Sequence, residues 1–271
     1  MRVAIQGESG SFHHQVAQQL FDDASIVACE TFGDVFGALN EHRAETAIVA
    51  VENSLYGSIN EVLDLIEAHR YPIVGEVYLR IEQQLIALPG ATEQTITKIY
   101  SHPVALAQCE QYLDVHFPKA QRIEYHDTAA SVSYIKELGD KTVAAIAGTA
   151  AASLYNLPIL AANIEDNKAN FTRFLVLSPD PRAQPQVTTK ASLVVTTGHQ
   201  PGALAQVLAT FAATGANLTK LQSRPIIGQP WKYRFYIDVE TDSATLEQTI
   251  AKIQKDGATV TVLGTYVAAS L

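Results

Sequence analysis

Between Ser178 and Gln186 the chain reads SPDPRAQPQ. Pro179, Pro181 and Pro185 fall within nine residues and no apolar periodicity survives, so neither a helix nor a strand runs through it. It reads as the linker between two domains, residues 1–180 and 190–271. Downstream the order of elements is short and regular. SLVVTT (192–197) is a strand, a helix follows from Pro201 to about Thr214, and a strand lies near Asn217 to Arg224. KYRFYIDVE (232–240) is the next strand, a helix runs from about Ala244 to Lys255, and TVTVLGTYV (259–267) closes the series. This β-α-β-β-α-β order is ferredoxin-like. In its first helix Leu204, Val207, Leu208 and Phe211 form an i, i+3, i+4, i+7 stripe that must lie on the sheet, with Pro201 suited to the first helical position and Gly215 to the stop.

Upstream of the linker, RVAIQG, TAIVAV, KIYSH, VAAIAG and RFLVL are short apolar or β-branched runs separated by helical periodicity. Such alternation predicts an α/β fold with a largely parallel sheet or sheets, whose sites lie where strands lead into helices.

Three such junctions share one design. In QGESGSFHHQVA (6–17), Gly7 and Gly10 free the backbone and Ser11 suits a helix cap. In VENSLYGSINEVLDLI (51–66), Ser58 and Glu61 have capping-box spacing before the stripe Ile59, Val62, Leu63, Ile66. In YSHPVALAQC (100–109), Pro103 fits the first helical position and Ser101 or His102 the cap. Helix N-termini offer unpaired N–H groups and partial positive charge, so their convergence makes an anion site without metal. Singly, each is more often ordinary helix punctuation, since every helix needs a cap whatever its function. A fourth place, NKANFTRFLVL (167–177), sets Thr172 and Arg173 at the start of an apolar strand. A buried guanidinium needs a partner, either a ligand carboxylate or a structural Asp or Glu.

The whole-chain numbers exclude several classes. The 271 residues are 47% hydrophobic and 17% charged, as in ordinary globular proteins. Net charge is −9, with 12 Lys+Arg against 23 Asp+Glu in residues 1–186 and 7 against 5 beyond. Neither part is a nucleic-acid binder, and an acidic protein that captures an anion must do so with locally placed donors. The glycine spacing of residues 7–10 matches neither a dinucleotide fingerprint nor a phosphate loop. His13 and His14, adjacent on a helix, diverge by about 100° and do not make a metal pair. Cys29 and Cys109 sit far apart in apolar segments, so the expectation is a reduced compartment, with Cys109 in the core. Met1 to Gln6 reads directly as a strand instead of an export signal, and no apolar run approaches the roughly 20 residues of a membrane span, which points to the cytoplasm.

VENSLYGSIN, SHPVALAQC, the DTAAS segment from Asp127 and NFTRF resemble the successive signatures of prephenate dehydratases. GHQPGAL (198–204), LQSRP (221–225), Pro230–Trp231 and KYRFYIDVE resemble the attached ACT regulatory domain. The resemblance runs in order along essentially the whole chain. It implies a two-lobed catalytic domain like type II periplasmic binding proteins, the active site in its cleft, followed by a ferredoxin-like ACT domain. It implies catalytic roles for Thr172, Arg173, Asn53, Ser101 and Gln108, and substrate contacts from Ser11, Ser54, Thr128, Asn170 and Phe174. It also implies a phenylalanine site drawing on Gly202, Ala203, Leu204, Asn217, Leu218, Ser223, Arg224 and Pro225, usually shared by two ACT domains of a homodimer or tetramer. His13 departs from the small hydroxyl residue commoner in the first loop, Val104 from the usual Gln, and Gln222 from the Glu of the ESRP segment.

The implied substrate, prephenate, carries two carboxylates and a ring hydroxyl, and the reaction expels carbon dioxide and water to leave an aromatic ring. It demands no metal and no redox cofactor. Arg173 is expected to clamp a carboxylate, Thr172 to hydrogen-bond the departing hydroxyl, and Asn53, Ser101 and Gln108 to fix the rest. Two alternatives share these features: the aminated substrate arogenate, and a non-catalytic solute or amino-acid sensor.

Overall fold

Fifteen strands and nine helices carry the fold in the computed structural model, which describes residues 1–270. The first stretch contains β1 (Arg2–Gln6), α1 (Phe12–Leu20), β2 (Ser25–Cys29), α2 (Phe32–Asn40), β3 (Thr46–Asn53), β4 (Gly57–Ser58), α3 (Asn60–His69) and β5 (Ile73–Arg80). Next come β6 (Gln84–Ala87), β7 (Lys98–Ser101), α4 (Pro103–Gln108), α5 (Glu110–His116), β8 (Gln121–Glu124), α6 (Thr128–Leu138), β9 (Val143–Ala147), α7 (Thr149–Tyr155), β10 (Ile159–Ala161) and β11 (Phe171–Leu177). The last stretch holds β12 (Lys190–Thr196), α8 (Ala203–Ala213), β13 (Asn217–Pro225), β14 (Tyr233–Glu240), α9 (Ser243–Lys255) and β15 (Thr259–Tyr266). The linker contains one short 3₁₀ turn, Pro181–Ala183, capped by Asp180.

One sheet has the order β2-β1-β3-β11-β5, with β4 beside β3, and a second has the order β10-β6-β9-β7-β8. The chain passes from the first sheet to the second between Arg80 and Gln84 and returns between Ala161 and Phe171. The two crossings are joined where the Ile81 N–H donates to the Asn170 carbonyl at 2.8 Å. The expectation of largely parallel sheets needs correcting for the second. There β7 runs parallel to β8 and β9, but β6 runs antiparallel to β9 and β10 to β6. Its antiparallel edge is built by the strands nearest the crossings.

Both faces of that second sheet are covered, which is why its strands read as continuous apolar runs. Leu85, Ile99, Ala144 and Ile146 point to one side with Leu106, Cys109, Leu113 and Phe117. Ile86, Tyr100, Ala145 and Ala147 point to the other with Ala129, Val132 and Ile135. Cys109 is fully buried, and desolvation pushes its thiol far above the usual range.

The chain forms two compact units, Met1–Ile59 with Tyr78–Phe174, and Asn60–Val77 with Leu175–Leu271. This division differs from the linker-based one, because α3 and the first half of β5 group with the C-terminal elements. In the second unit the sheet order is β13-β14-β12-β15, with β13–β14, β14–β12 and β12–β15 each antiparallel. Its core joins Val207 and Phe211 of α8 with Leu193, Val195, Ile237 and Val239, while Leu204 and Leu208 stay half exposed. The helix starts later than expected: Gly202 is its N-cap, at φ +84°, and Pro201 lies in the preceding turn. Within this unit α3 is tied to the sheet by Asp64 with Arg224 (2.5 Å) and Arg234 (3.4 Å), and by Glu67 with Arg234 (2.9 Å). A buried pair, Lys190 with Glu76 at 2.9 Å, links β12 to β5.

Candidate functional site

Where β1 ends, the chain turns sharply at Gly7, φ +89°. A Cβ there would lie 2.8 Å from the Asp127 carboxylate, so only glycine lets the first loop approach the start of α6. The loop then enters α1 through Ser11, whose hydroxyl accepts from the His14 N–H at 3.3 Å. Asp127 caps α6 in the same way, accepting from the Ala130 N–H at 2.9 Å. His102 caps α4, its Nδ1 accepting from the Val104 N–H, with Pro103 in the first turn as expected. Ser58, by contrast, lies in β4 opposite Glu52 and α3 begins at Asn60, so the expected Ser58 cap is one residue out of place.

These segments surround one cavity of about 490 Å³, entirely within the first compact unit. Ser11, Phe12 and His13 line it from the first loop, Asn53 and Tyr56–Ile59 from the second, His102, Val104, Ala105 and Gln108 from the third, and Asp127 and Thr128 from the start of α6. Thr172 and Phe174 complete it from β11. The lining residues include no Lys or Arg. Anion recognition therefore falls to neutral donors and to the N-terminal ends of α1 and α6.

Asn53 organises the wall that carries Thr172. Its Nδ2 donates to Thr172 Oγ1 (3.0 Å), Asn170 Oδ1 (2.8 Å) and the Phe171 carbonyl (3.2 Å). Its Oδ1 accepts from the Leu55 and Tyr56 N–H groups. Asn53 is thus occupied on both ends and positions Thr172 instead of reaching for a ligand. Because Thr172 Oγ1 accepts from Asn53, its own O–H remains free to donate, and Thr172 lines the cavity. Gln108 accepts at Oε1 from Gln83 Nε2 (2.9 Å), so the Gln108 amide N–H₂, without an acceptor among the described residues, is available to a ligand.

Several expected contacts fall elsewhere. Arg173 does not line the cavity: side chains alternate along a strand, and with Thr172 and Phe174 facing in, Arg173 lies buried on the other face. Ser101 is fully buried and donates to the Ile146 carbonyl at 2.6 Å, stitching β7 to β9 just past their last ladder pair. Ser54 bridges the Ala169 carbonyl and the Phe171 N–H, and Asn170 is a buried acceptor for Asn53. Both brace the cavity wall. Ser11, Thr128 and Phe174 do line it.

Two buried polar lining residues stand outside the expected ligands. Gln83 is 2% exposed, its Oε1 has no partner among the described residues, and its sequence signal was a Gln pair in the apolar stretch IEQQLI. His13, noted only as a departure, is buried against Phe174 with ring centroids 5.0 Å apart, nearly perpendicular.

The expected regulatory residues divide between two ends of the β13-β14-β12-β15 sheet. The register aligns Thr196, Arg234 and Arg224 in one row, placing Gly202, Ala203 and Leu204 near the Ser223–Arg224 end. Asn217 and Leu218 begin β13 opposite Glu240 and Val239, about 20 Å away along the strand. A single chain does not gather all eight. Arg224 is also already paired, with Asp64.

Comparison with known proteins is consistent across the chain. Residues 3–182 match the family model for prephenate dehydratase, and residues 191–258 that for the ACT domain. The chain is 37% identical over 285 residues to arogenate dehydratase 4, chloroplastic, of Arabidopsis thaliana, covering 98% of this chain and 67% of that protein. It is 35% identical over 269 residues to a bifunctional chorismate mutase/prephenate dehydratase of Aquifex aeolicus, covering 98% and 73%. Among solved structures, GqqA, described as a novel type of quorum quenching acylases, superposes with a TM-score of 0.90 at 31% identity over 99% of this chain and 98% of that one. Prephenate dehydratase from Arthrobacter aurescens in complex with L-Phe gives 0.88 at 28% identity over 99% and 90%.

Proposed function

Because the chain belongs to the prephenate dehydratase family and carries an ACT domain toward its C-terminal end, we propose that its cavity converts prephenate to phenylpyruvate, with residues 1–180 as catalytic domain and residues 190–271 as regulatory domain. In the reaction the bond from the ring to its carboxylate breaks and releases carbon dioxide. The electron pair enters the ring, the opposite C–O bond breaks, and the hydroxide leaves as water after taking one proton. Aromatisation drives the step; the barrier lies in orienting the anion and easing the departure of hydroxide.

The observation that carries this reading is the Asn53–Thr172 hydrogen bond at 3.0 Å. It holds the Thr172 oxygen as an acceptor and so aims its O–H at the departing hydroxyl, where a donor fixed before the reaction strengthens as charge develops. A threonine hydroxyl is too weak an acid to give up its proton outright, so the proton for water comes from solvent. Gln108, Ser11 and the N-terminal turns of α1 and α6 hold the carboxylates, and Phe174 flanks the ring as it becomes aromatic. Arg173, Ser101, Ser54 and Asn170 support this wall from behind.

Phenylalanine is the proposed effector of the ACT domain. Gly202, Ala203, Leu204, Ser223 and Arg224 of one copy would meet Asn217 and Leu218 of a second, which makes a homodimer, or a tetramer built from dimers, the functional form. None of the described helices is long and apolar enough to cross a membrane, and the proposed site of action is the cytoplasm. The relatives described as arogenate dehydratases favour a second reading with the aminated substrate. Parallel assays separate the two: phenylpyruvate from prephenate supports the first, whereas phenylalanine from arogenate with prephenate left untouched supports the second.

A further inference from the structure

The β3 strand loses its β1 neighbour at the cavity. The last β1–β3 pair is Ile5 with Ile48, and Ala50 lies two residues further on. Its N–H is taken up by a side chain: it donates to His13 Nε2 at 3.1 Å. A ring nitrogen that accepts a hydrogen bond carries no proton, so in the neutral imidazole the proton sits on Nδ1. The ring cannot readily turn to reverse this, because Phe174 and Phe32 pack edge to face on it, with centroids at 5.0 and 5.9 Å. His13 lines the cavity, and Nδ1 has no partner among the described residues.

From this geometry we infer that His13 is a substrate-positioning residue, its Nδ1–H donating a hydrogen bond to an oxygen of the bound anion while Nε2 closes the backbone of β3. The inference rests on the function proposed above and deepens it. It adds a donor to a cavity that has no Lys or Arg among its lining residues. Burial pushes the imidazole pKa down to about 3, so the ring stays a neutral donor across the ordinary assay range. A neutral donor recognises the anion without the desolvation cost of a buried charge.

Two amides divide the functions of the imidazole. In His13→Asn the side-chain N–H₂ falls near Nδ1 and keeps the donor, but the Ala50 N–H loses its acceptor. In His13→Gln the longer side chain reaches Ala50 with its carbonyl oxygen, but the donor at Nδ1 is lost. Steady-state kinetics on prephenate and a thermal melt are measured for both variants in the full chain. The expected result is that His13→Asn melts lower yet keeps KM within about threefold, while His13→Gln melts near the parent and raises KM about tenfold, the scale of one hydrogen bond to a charged oxygen. The reverse order, equal losses in both, or no change in KM for either overturns the inference and leaves His13 a structural plug. Parent protein inactive on both prephenate and arogenate would instead overturn the proposed function, and the inference with it.

Discussion

Replacing Thr172 by Val removes a hydroxyl and little else. The side chain is 9% exposed on β11, so the variant keeps the β-branched shape the strand packs around. Asn53 Nδ2 loses one of its three acceptors and retains Asn170 Oδ1 and the Phe171 carbonyl. The stability cost is that of one buried hydrogen bond, about 1 kcal/mol, or a fall of about 3 °C in Tm. The catalytic cost is larger. A fixed donor aimed at developing oxyanion charge is worth about 3 kcal/mol, which is roughly a hundredfold in kcat, with KM nearly unchanged because the interaction strengthens only in the transition state. Thr172→Ser, which restores the hydroxyl, recovers most of the rate. Asn53→Ala, which leaves the hydroxyl unaimed, lowers kcat on its own, and the double variant with Thr172→Val falls no further than about the larger single effect, since the two act as one device. The assay is initial-rate phenylpyruvate formation under saturating prephenate. A loss below about tenfold for Thr172→Val, or additive losses in the double variant, refutes the assigned role.

Arg173→Lys should keep kcat/KM within about threefold while lowering Tm, because the guanidinium serves the buried side of β11; a carboxylate clamp would instead lose about a hundredfold in KM, read in the same assay. Gly202→Val places a β-branched residue at φ +84°, costs about 1–3 kcal/mol locally, and should abolish the phenylalanine response with basal activity intact; lost catalysis with inhibition retained contradicts it. His13 titrates in the unfolded chain near pH 6.5 but only near pH 3 when folded, so its contribution to stability is full above 6.5 and drains as the pH falls toward 3. By pH 5 the loss is about 2 kcal/mol, and a denaturant series at pH 7 and 5 should show that part of the drop vanish in His13→Gln. Glu76→Gln breaks the buried ion pair with Lys190 and should cost about 3 kcal/mol, whereas replacing both by apolar residues should recover most of it.

Much of this was legible in the sequence because local rules and global packing agree. The βαββαβ order followed from stripes such as Val207 and Phe211, and the strand-to-helix loops did converge. The failures have physical causes. Arg173 was expected beside Thr172 in the cleft, but adjacent residues on a strand face opposite ways, and which of them faces the cavity depends on the layer packed against β11. Ser101 reads as a cap, yet the free carbonyl of Ile146, distant in sequence, claims its hydroxyl. Ser58 has the spacing of a capping box, but pairing with β3 takes it first. Gln83 and the second role of His13 were hidden because a buried amide's partner and an imidazole's tautomer are set by Gln108 and Ala50, contacts no local window contains.

The most direct test of the central claim is the time course of phenylpyruvate formation from prephenate by the purified full chain, with and without L-phenylalanine. Steady turnover that L-phenylalanine alters is the predicted result; absence of phenylpyruvate above the spontaneous rate would contradict it.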